Sequence, residues 1–468
     1  MFLARPLLCS TLIAIGLSGC FLPSPSASPQ PPLPTAWKNA GGFPVASATQ
    51  DLSRWWGRFN DPILTAIIAD ALKASPDMAS ASARVRESRA RRDAERASLF
   101  PSIGGSANAS TRTTDSDKTG TFSSDSFSAG LDASWEADLF GRNRSAIAAA
   151  SANLGAAEEN FHSVQAALAS EIAIAYTNLR TNEARFEVLM RNLKTREQTA
   201  QLASWRQQAG EADSLEASQS QSSLEQARAA IPALEQAATL SRNLLARLSG
   251  LTPGSLDATL DARNPGIPSP PRSLAIGIPA DTVRQRPDVR IAGYQVLAAA
   301  ASTRTADAAR YPSLNLSGSL GLTSANLGKA FSPEATSASL AANLASPIFD
   351  AGRRRANLEA ATASEEQAVQ GYRSTVLTAL SETENALVTC RRSAERLSAL
   401  EKATVLAREA DALAQQRYEA GEIDFLSVLD SQRTLLGLED SLLSTNTERT
   451  IAYIRLYQAL GGGWSPSA

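Results

Sequence analysis

A mixed α and β fold, built as an internal tandem duplication with four short strands and two very long helical hairpins, is what the sequence predicts. Three observations predict it. Landmarks in the first half recur 211 positions later, short segments alternate polar and apolar residues, and proline-free helical patterns continue for roughly sixty-five residues.

The first nineteen residues carry Arg5, an apolar run from Leu7 to Leu17 and then small residues, the layout of a secretory signal peptide. Residues 1–19 are therefore expected to be removed on export. Leu17-Ser18-Gly19-Cys20 resembles the lipobox of bacterial lipoproteins, which implies acylation of Cys20 and a stable membrane anchor. Phe21 in place of an aspartate favours the outer membrane by the same resemblance. The alternative is an ordinary signal with a chance cysteine. Residues 20–50, with Pro23, Pro25, Pro29, Pro31, Pro32 and Pro34, read as an extended tether. With Cys9 in the signal and Cys20 lipidated, Cys390 stands alone and no internal disulfide is possible.

The duplication organises the rest. Phe100-Pro101-Ser102 recurs as Tyr311-Pro312-Ser313, Pro76-Asp77 as Pro287-Asp288, Gly141-Arg142 as Gly352-Arg353, and Ala209-Gly210-Glu211 as Ala420-Gly421-Glu422, each 211 positions on. Asp213 and Leu215 map by the same offset to Asp424 and Leu426. The repeats are assigned to residues 51–250 and 281–463, joined by a Pro-rich linker over 251–280.

In the first repeat, Phe127, Ala129, Leu131, Ala133 and Trp135 alternate with Ser128, Gly130, Asp132, Ser134 and Glu136, a strand with a different solvent on each face. Residues 314–323 repeat the pattern, with Leu314, Leu316, Leu320 and Leu322 against Asn315, Ser317, Ser319 and Thr323. Segments near 102–111 and 338–348 pair with these as hairpins, and each strand is about ten residues, enough for a tilted strand to cross a bilayer. Half-buried strands of a periplasmic domain would show the same pattern.

Helical patterns follow from Ser145 to Ala209 and from Arg353 to Ala420. A helix of about 65 residues spans roughly 100 Å, so it must be a rod. Ile172, Leu179, Phe186 and Leu193 recur every seven residues, as do Val428, Leu435 and Leu442, the spacing of helices packed along a seam. Gly210 and Gly421 read as the turns at hairpin tips, after which each pattern resumes to about 249 or 460. Pro232 is expected to kink the return helix of the first repeat only.

Composition narrows function. With 45 basic against 47 acidic residues there is no uniform basic field for nucleic acid. The single histidine, His162, lies in an Ala-rich helix, Cys390 has no cysteine or histidine near it in sequence, and Gly104-Gly105 sits inside a strand pattern rather than before a helix. Catalysis, a metal centre, a phosphate-binding loop and a bound cofactor all find no support.

Four strands cannot close a membrane barrel and an open edge cannot face lipid, so membrane-spanning strands demand oligomerisation; three copies would supply twelve. Four motifs then carry a resemblance to the TolC-like outer-membrane factors, in the lipoprotein branch serving resistance-nodulation-division (RND) pumps. They are Trp55-Trp56-Gly57-Arg58-Phe59-Asn60-Asp61-Pro62, Ile278-Pro279 with Arg286-Pro287-Asp288, Pro347-Ile348-Phe349-Asp350-Ala351-Gly352-Arg353, and Tyr418-Glu419-Ala420-Gly421 leading to Leu429-Asp430. The resemblance implies a homotrimer with a twelve-stranded outer-membrane β-barrel, continued by a periplasmic α-helical barrel. Its tip would meet a periplasmic membrane-fusion adaptor and an inner-membrane RND pump in multidrug efflux.

By the same resemblance the periplasmic gate is Tyr418, Leu426, Asp430 and Arg433, with Arg433 the cation that relieves repulsion in a ring of Asp430 side chains. The first repeat has Gln219 and Ser222 where the second has Asp430 and Arg433, so hairpin two is expected to open against a fixed hairpin one. Other members use a further aspartate and a basic residue where Ser427 and Ile423 stand here, which implies a weaker latch. A solvated intrahelical pair is the plainer reading of Asp430 and Arg433. Two other functions stay open: a duct for type I protein secretion, and a non-channel periplasmic scaffold lipoprotein.

Overall fold

The computed structural model describes residues 33–41, 43–44, 51–116, 120–262, 266–271, 276–326 and 332–465. The chain forms two compact units, one containing residues 84–158 and 291–373, the other residues 32–83, 159–290 and 374–468. After a 3-10 turn at Trp55–Phe59, the elements are α1 (Pro62–Ala74), α2 (Pro76–Ala97), β1 (Ser102–Ser116), β2 (Gly120–Ala137), α3 (Arg142–Gln208) and α4 (Ser214–Leu248). Then come α5 (Asp257–Asp261), α6 (Pro279–Gln285), α7 (Pro287–Ala308), β3 (Ser313–Ser324), β4 (Thr336–Ala345), α8 (Arg353–Glu419) and α9 (Phe425–Ala459). The bounds of α2, α3 and α4 recur in α7, α8 and α9 exactly one offset of 211 later. No described helix is long and apolar enough to cross a membrane.

The first unit holds a four-stranded antiparallel sheet in the order β1-β2-β3-β4. Its register aligns the apolar positions across all four strands: Gly105 faces Leu131, Leu131 faces Leu320, and Leu320 faces Ala338. One face is therefore apolar, and it is bare: Leu131, Leu320, Leu344 and Leu340, the last 88% exposed, have no covering layer within the chain. The other face carries Ser, Asn and Asp side chains.

β1 and β2 are longer than the alternation predicts, at 15 and 18 residues. Alternation marks only the apolar band. Beyond it the ladder continues through Ser and Thr, held by side-chain bonds such as Thr111 Oγ1 donating to Asp125 Oδ1 at 2.8 Å and Thr121 Oγ1 to Asp115 Oδ1 at 3.1 Å. β4 ends at Ala345, short of the expected 348, where Pro347 has no N–H to donate. α3 starts at Arg142 rather than Ser145 because Asp138 accepts the free N–H groups of Asn143 and Arg144 at 3.2 and 2.9 Å.

The second unit carries the main core. Ile172 and Leu179 of the α3 seam are buried in it, Leu193 is buried in a separate cluster with Leu189 and Leu224, and Phe186 is only half-buried. Asp61 caps α1, accepting from the N–H of Ile63 and Leu64, both at 3.0 Å. Trp55 stacks on Tyr457 with ring centroids 5.2 Å apart. Arg286 donates to Asp288, to Glu382 and to the Ala459 carbonyl at the end of α9. Before the 3-10 turn, Glu384 accepts the N–H groups of Lys38 and Asn39 and the Asn39 amide, and Trp37 Nε1 donates to Gly277 O at 2.8 Å.

Beyond α9, Gly462 N donates to Tyr457 O and Gly463 N to Leu52 O, both at 2.9 Å. A Cβ on Gly463 would stand 3.1 Å from Ala166 Cα. Trp464 is buried, stacked on His162 at 4.6 Å with the Arg290 guanidinium 5.2 Å from its ring. His162 thus packs an aromatic. α4 runs through Pro232 from Ser214 to Leu248 as one helix.

Candidate functional site

Both helical hairpins turn on a glycine in the left-handed region, Gly210 at φ 77° and Gly421 at φ 74°. In each turn the residue after the glycine donates back five positions, Glu211 N to Arg206 O at 2.9 Å and Glu422 N to Arg417 O at 2.8 Å. Aspartates then cap the return helices. Asp213 accepts from the N–H of Leu215 and Glu216, and Asp424 from the N–H and Oγ of Ser427. The Ser427 hydroxyl and N–H hold the Asp424 carboxyl below its ordinary value.

Tyr418, the last-turn aromatic of α8, is only 2% exposed. Its ring packs with Phe425, Val428 and Leu429, centroid to centroid 6.0 Å from Phe425. Its hydroxyl donates a short hydrogen bond to Glu216 Oε1 in the first turn of α4, so hairpin two is tied to hairpin one. Arg206 of α3 closes the group: its guanidinium lies 4.9 Å from the Tyr418 ring centroid and 3.7 Å from Glu216 Oε1. Burial, and then the hydrogen bond to Glu216, pushes the Tyr418 phenol up to about 12.

Leu426, Asp430 and Arg433 share a different face. Their spacing of four and three residues aligns them along α9, and all three are exposed, Leu426 at 54%. Among the described residues no ion pair within 4 Å reaches Asp430 or Arg433. Arg433 instead lies near another cation. Arg196, buried on α3 and donating to Ser223 O at 2.9 Å and to its Oγ at 2.6 Å, has its pKa lowered by burial and then by the charge of Arg433. Between α8 and α9 a buried carboxyl, Asp411, accepts from Ser431 Oγ at 3.0 Å and Gln415 Nε2 at 2.7 Å. Burial pushes its pKa up.

The sequence singled out Tyr418, Leu426, Asp430 and Arg433 but missed Glu216, Arg206 and Asp411. Glu216 had a signal: the offset of 211 takes it to Ser427, so the hairpins differ in acid at equal positions. Cys20 lies outside the described residues. Cys390 is buried, and burial pushes its thiol up to about 12.

The family model described as outer membrane efflux protein matches residues 67–251 and again 278–462. The pyoverdine export outer membrane protein OpmQ of Pseudomonas aeruginosa is 33% identical over 96% of this chain and 96% of its own. The toluene efflux pump outer membrane protein TtgI of Pseudomonas putida is 32% identical over 96% of this chain and 97% of its own. Among solved structures, the outer-membrane channel OprN superposes with a TM-score of 0.88 at 30% identity, covering 96% of this chain and 100% of that one.

Proposed function

The chain belongs to the outer membrane efflux protein family, outer-membrane conduits of tripartite efflux pumps rather than enzymes, and from that premise we propose a homotrimer gated at its periplasmic tips. Three copies contribute four strands each to one outer-membrane barrel, and their hairpins continue it as a helical barrel in the periplasm. The observation that carries this reading is the four-stranded sheet with a bare apolar face and two unpaired edges. Neither edge can face lipid, and four strands are too few to close.

Residues 1–19 act as the signal, Cys20 as the lipidated anchor and 20–50 as the tether, ahead of repeats at 51–250 and 281–463 and the linker between them. The hairpin tips meet a periplasmic adaptor, which couples the duct to an RND pump in the inner membrane. One relative is named for pyoverdine export and another for toluene efflux, which favours small molecules over secreted protein as cargo.

Closure uses two layers. Around the axis, Leu426, Asp430 and Arg433 of α9 meet their counterparts, with Arg433 offsetting repulsion among the three Asp430 carboxylates. Beneath them, the Tyr418–Glu216–Arg206 group holds hairpin two against hairpin one. Opening swings hairpin two away from the wall.

Single-channel conductance in planar bilayers tests this. Wild type should give small, cation-favouring currents that grow sharply in Asp430→Ala and Arg433→Ala but not in Ser222→Ala. A sample that runs as a monomer and carries no current in any variant would leave a scaffold lipoprotein as the better reading.

A further inference from the structure

We infer that the groove between α3, α4 and α9 is a binding site for a small anionic amphiphile, its anionic head on Arg433 and its alkyl tail along Leu189, Leu234, Leu436 and Leu443. The site rests on the packing within one chain, and its consequence for the duct rests on the gated reading above.

The place of the tail comes from the lining. Val188 and Leu189 of α3, Ala233 and Leu234 of α4, and Leu436 and Leu443 of α9 surround a cavity of about 540 Å³. From Arg433 to Leu443, α9 rises roughly 15 Å, room for a medium-length alkyl chain lying along it. Gly437 widens the middle of that path, since a Cβ built there would meet nothing within 4 Å. Each methylene buried in such a groove strengthens binding roughly fourfold.

The place of the head comes from charge, because the two ends of the groove differ. At one end the Arg185 guanidinium is met by Asp440, Nε to Oδ1 at 2.8 Å. At the end nearer the hairpin tip stands Arg433, exposed at the mouth, and among the described residues no carboxylate reaches it within 4 Å. Close by is Arg196, only 7% exposed. It donates to the neutral Ser223, and its Nε has no hydrogen-bond partner. The charge that perturbs Arg196 is that of Arg433, a second cation. Buried charge is ordinarily paired, and guanidinium groups bind carboxylates and other oxyanions in a fork. A carboxylate on Arg433 would offset both cations, and a hydrocarbon tail on that carboxylate has the groove to enter. An uncharged hydrophobe would leave the cations unopposed, and an inorganic anion would leave the groove unfilled.

Both hairpins supply the lining, so the site is whole only while α9 lies against α3 and α4. A ligand that binds this arrangement and not the open one stabilises closure.

Calorimetric titration of octanoate into the full chain in lipid nanodiscs, with empty nanodiscs subtracted, tests the site. Octanoate should bind saturably, with acetate and octanol each at least about tenfold weaker. Arg433→Gln should weaken octanoate at least about tenfold and leave octanol unchanged, whereas Gly437→Leu, which fills the groove, should abolish binding of both. Equal affinity for octanoate and octanol, or no loss in either variant, would overturn the site and leave the gated duct standing. In planar bilayers, saturating octanoate should lower the open probability of wild type at least about fivefold and leave that of Gly437→Leu unchanged. Binding without that fall, in a preparation where Arg433→Ala still leaks, would overturn the closing effect.

Discussion

Replacing Tyr418 by phenylalanine removes one hydroxyl from the contact between the hairpins and leaves the ring, its packing on Phe425 and the Arg206 stack in place. What is lost is a charge-assisted hydrogen bond to the Glu216 carboxylate. Such bonds contribute roughly 1.5–3 kcal/mol when buried. Glu216 keeps Arg206 at 3.7 Å and its side chain is 19% exposed, so the lower half of that range applies, about 2 kcal/mol. That corresponds to roughly a thirtyfold rise in the ratio of open to closed hairpins, since about 1.4 kcal/mol is one decade. The assay is open probability of single channels in planar bilayers at fixed salt. Glu216→Gln, which keeps the shape and removes the charge, should open the channel by a smaller factor. If both variants gate like wild type while Arg433→Ala is leaky, the Tyr418 contact plays no part in closure and only the axial ring seals the duct. The pH arm has a definite sign. The folded phenol is raised to about 12 from an ordinary value of 10.0, so the native state holds its proton more tightly than the unfolded chain. The latch is intact below about pH 10 and weakens as pH rises from there.

Two further outcomes follow from buried and bare surfaces. Asp411 is raised by burial, so its contribution to stability is greatest below the ordinary carboxylate pKa and is lost as pH rises through the folded value; Asp411→Asn should melt higher than wild type at pH 7, with the difference vanishing near pH 4, as followed by circular dichroism. Leu340→Arg places a charge on the bare apolar face at a cost of about 2–4 kcal/mol near the bilayer midplane, and should sharply reduce the fraction of protein recovered in outer-membrane vesicles, whereas Ser339→Arg on the opposite face should not.

The parts with short-range rules were legible in the sequence. Period-two alternation located β2 and β3, hairpin pairing with them located β1 and β4, proline-free runs located α3 and α8 to within three residues at each end, and the 211 offset related the two halves. What failed to show was long-range. Glu216 and Tyr418 are 202 positions apart, and no local pattern pairs a first-turn glutamate of one hairpin with a last-turn tyrosine of the other. Glu384 of α8 accepts the backbone N–H groups of Lys38 and Asn39, 346 and 345 positions away in the chain. The outer halves of β1 and β2 were invisible for another reason: Ser and Thr on both faces carry no period, although they extend a ladder well.

The glycines at 461–463 press the end of α9 against Leu52, Ala166 and the backbone of Gln285 and Arg286, with Trp464 closing over His162. Contacts separated by roughly four hundred positions therefore complete the core, and loop closure over that distance is slow and late. Until synthesis reaches Tyr457 and Trp464, the surfaces of Trp55 and His162 that they cover stay open. A chain ending before Tyr457 would leave Trp55 and His162 without the rings that cover them, so the core closes only with its last residues in place.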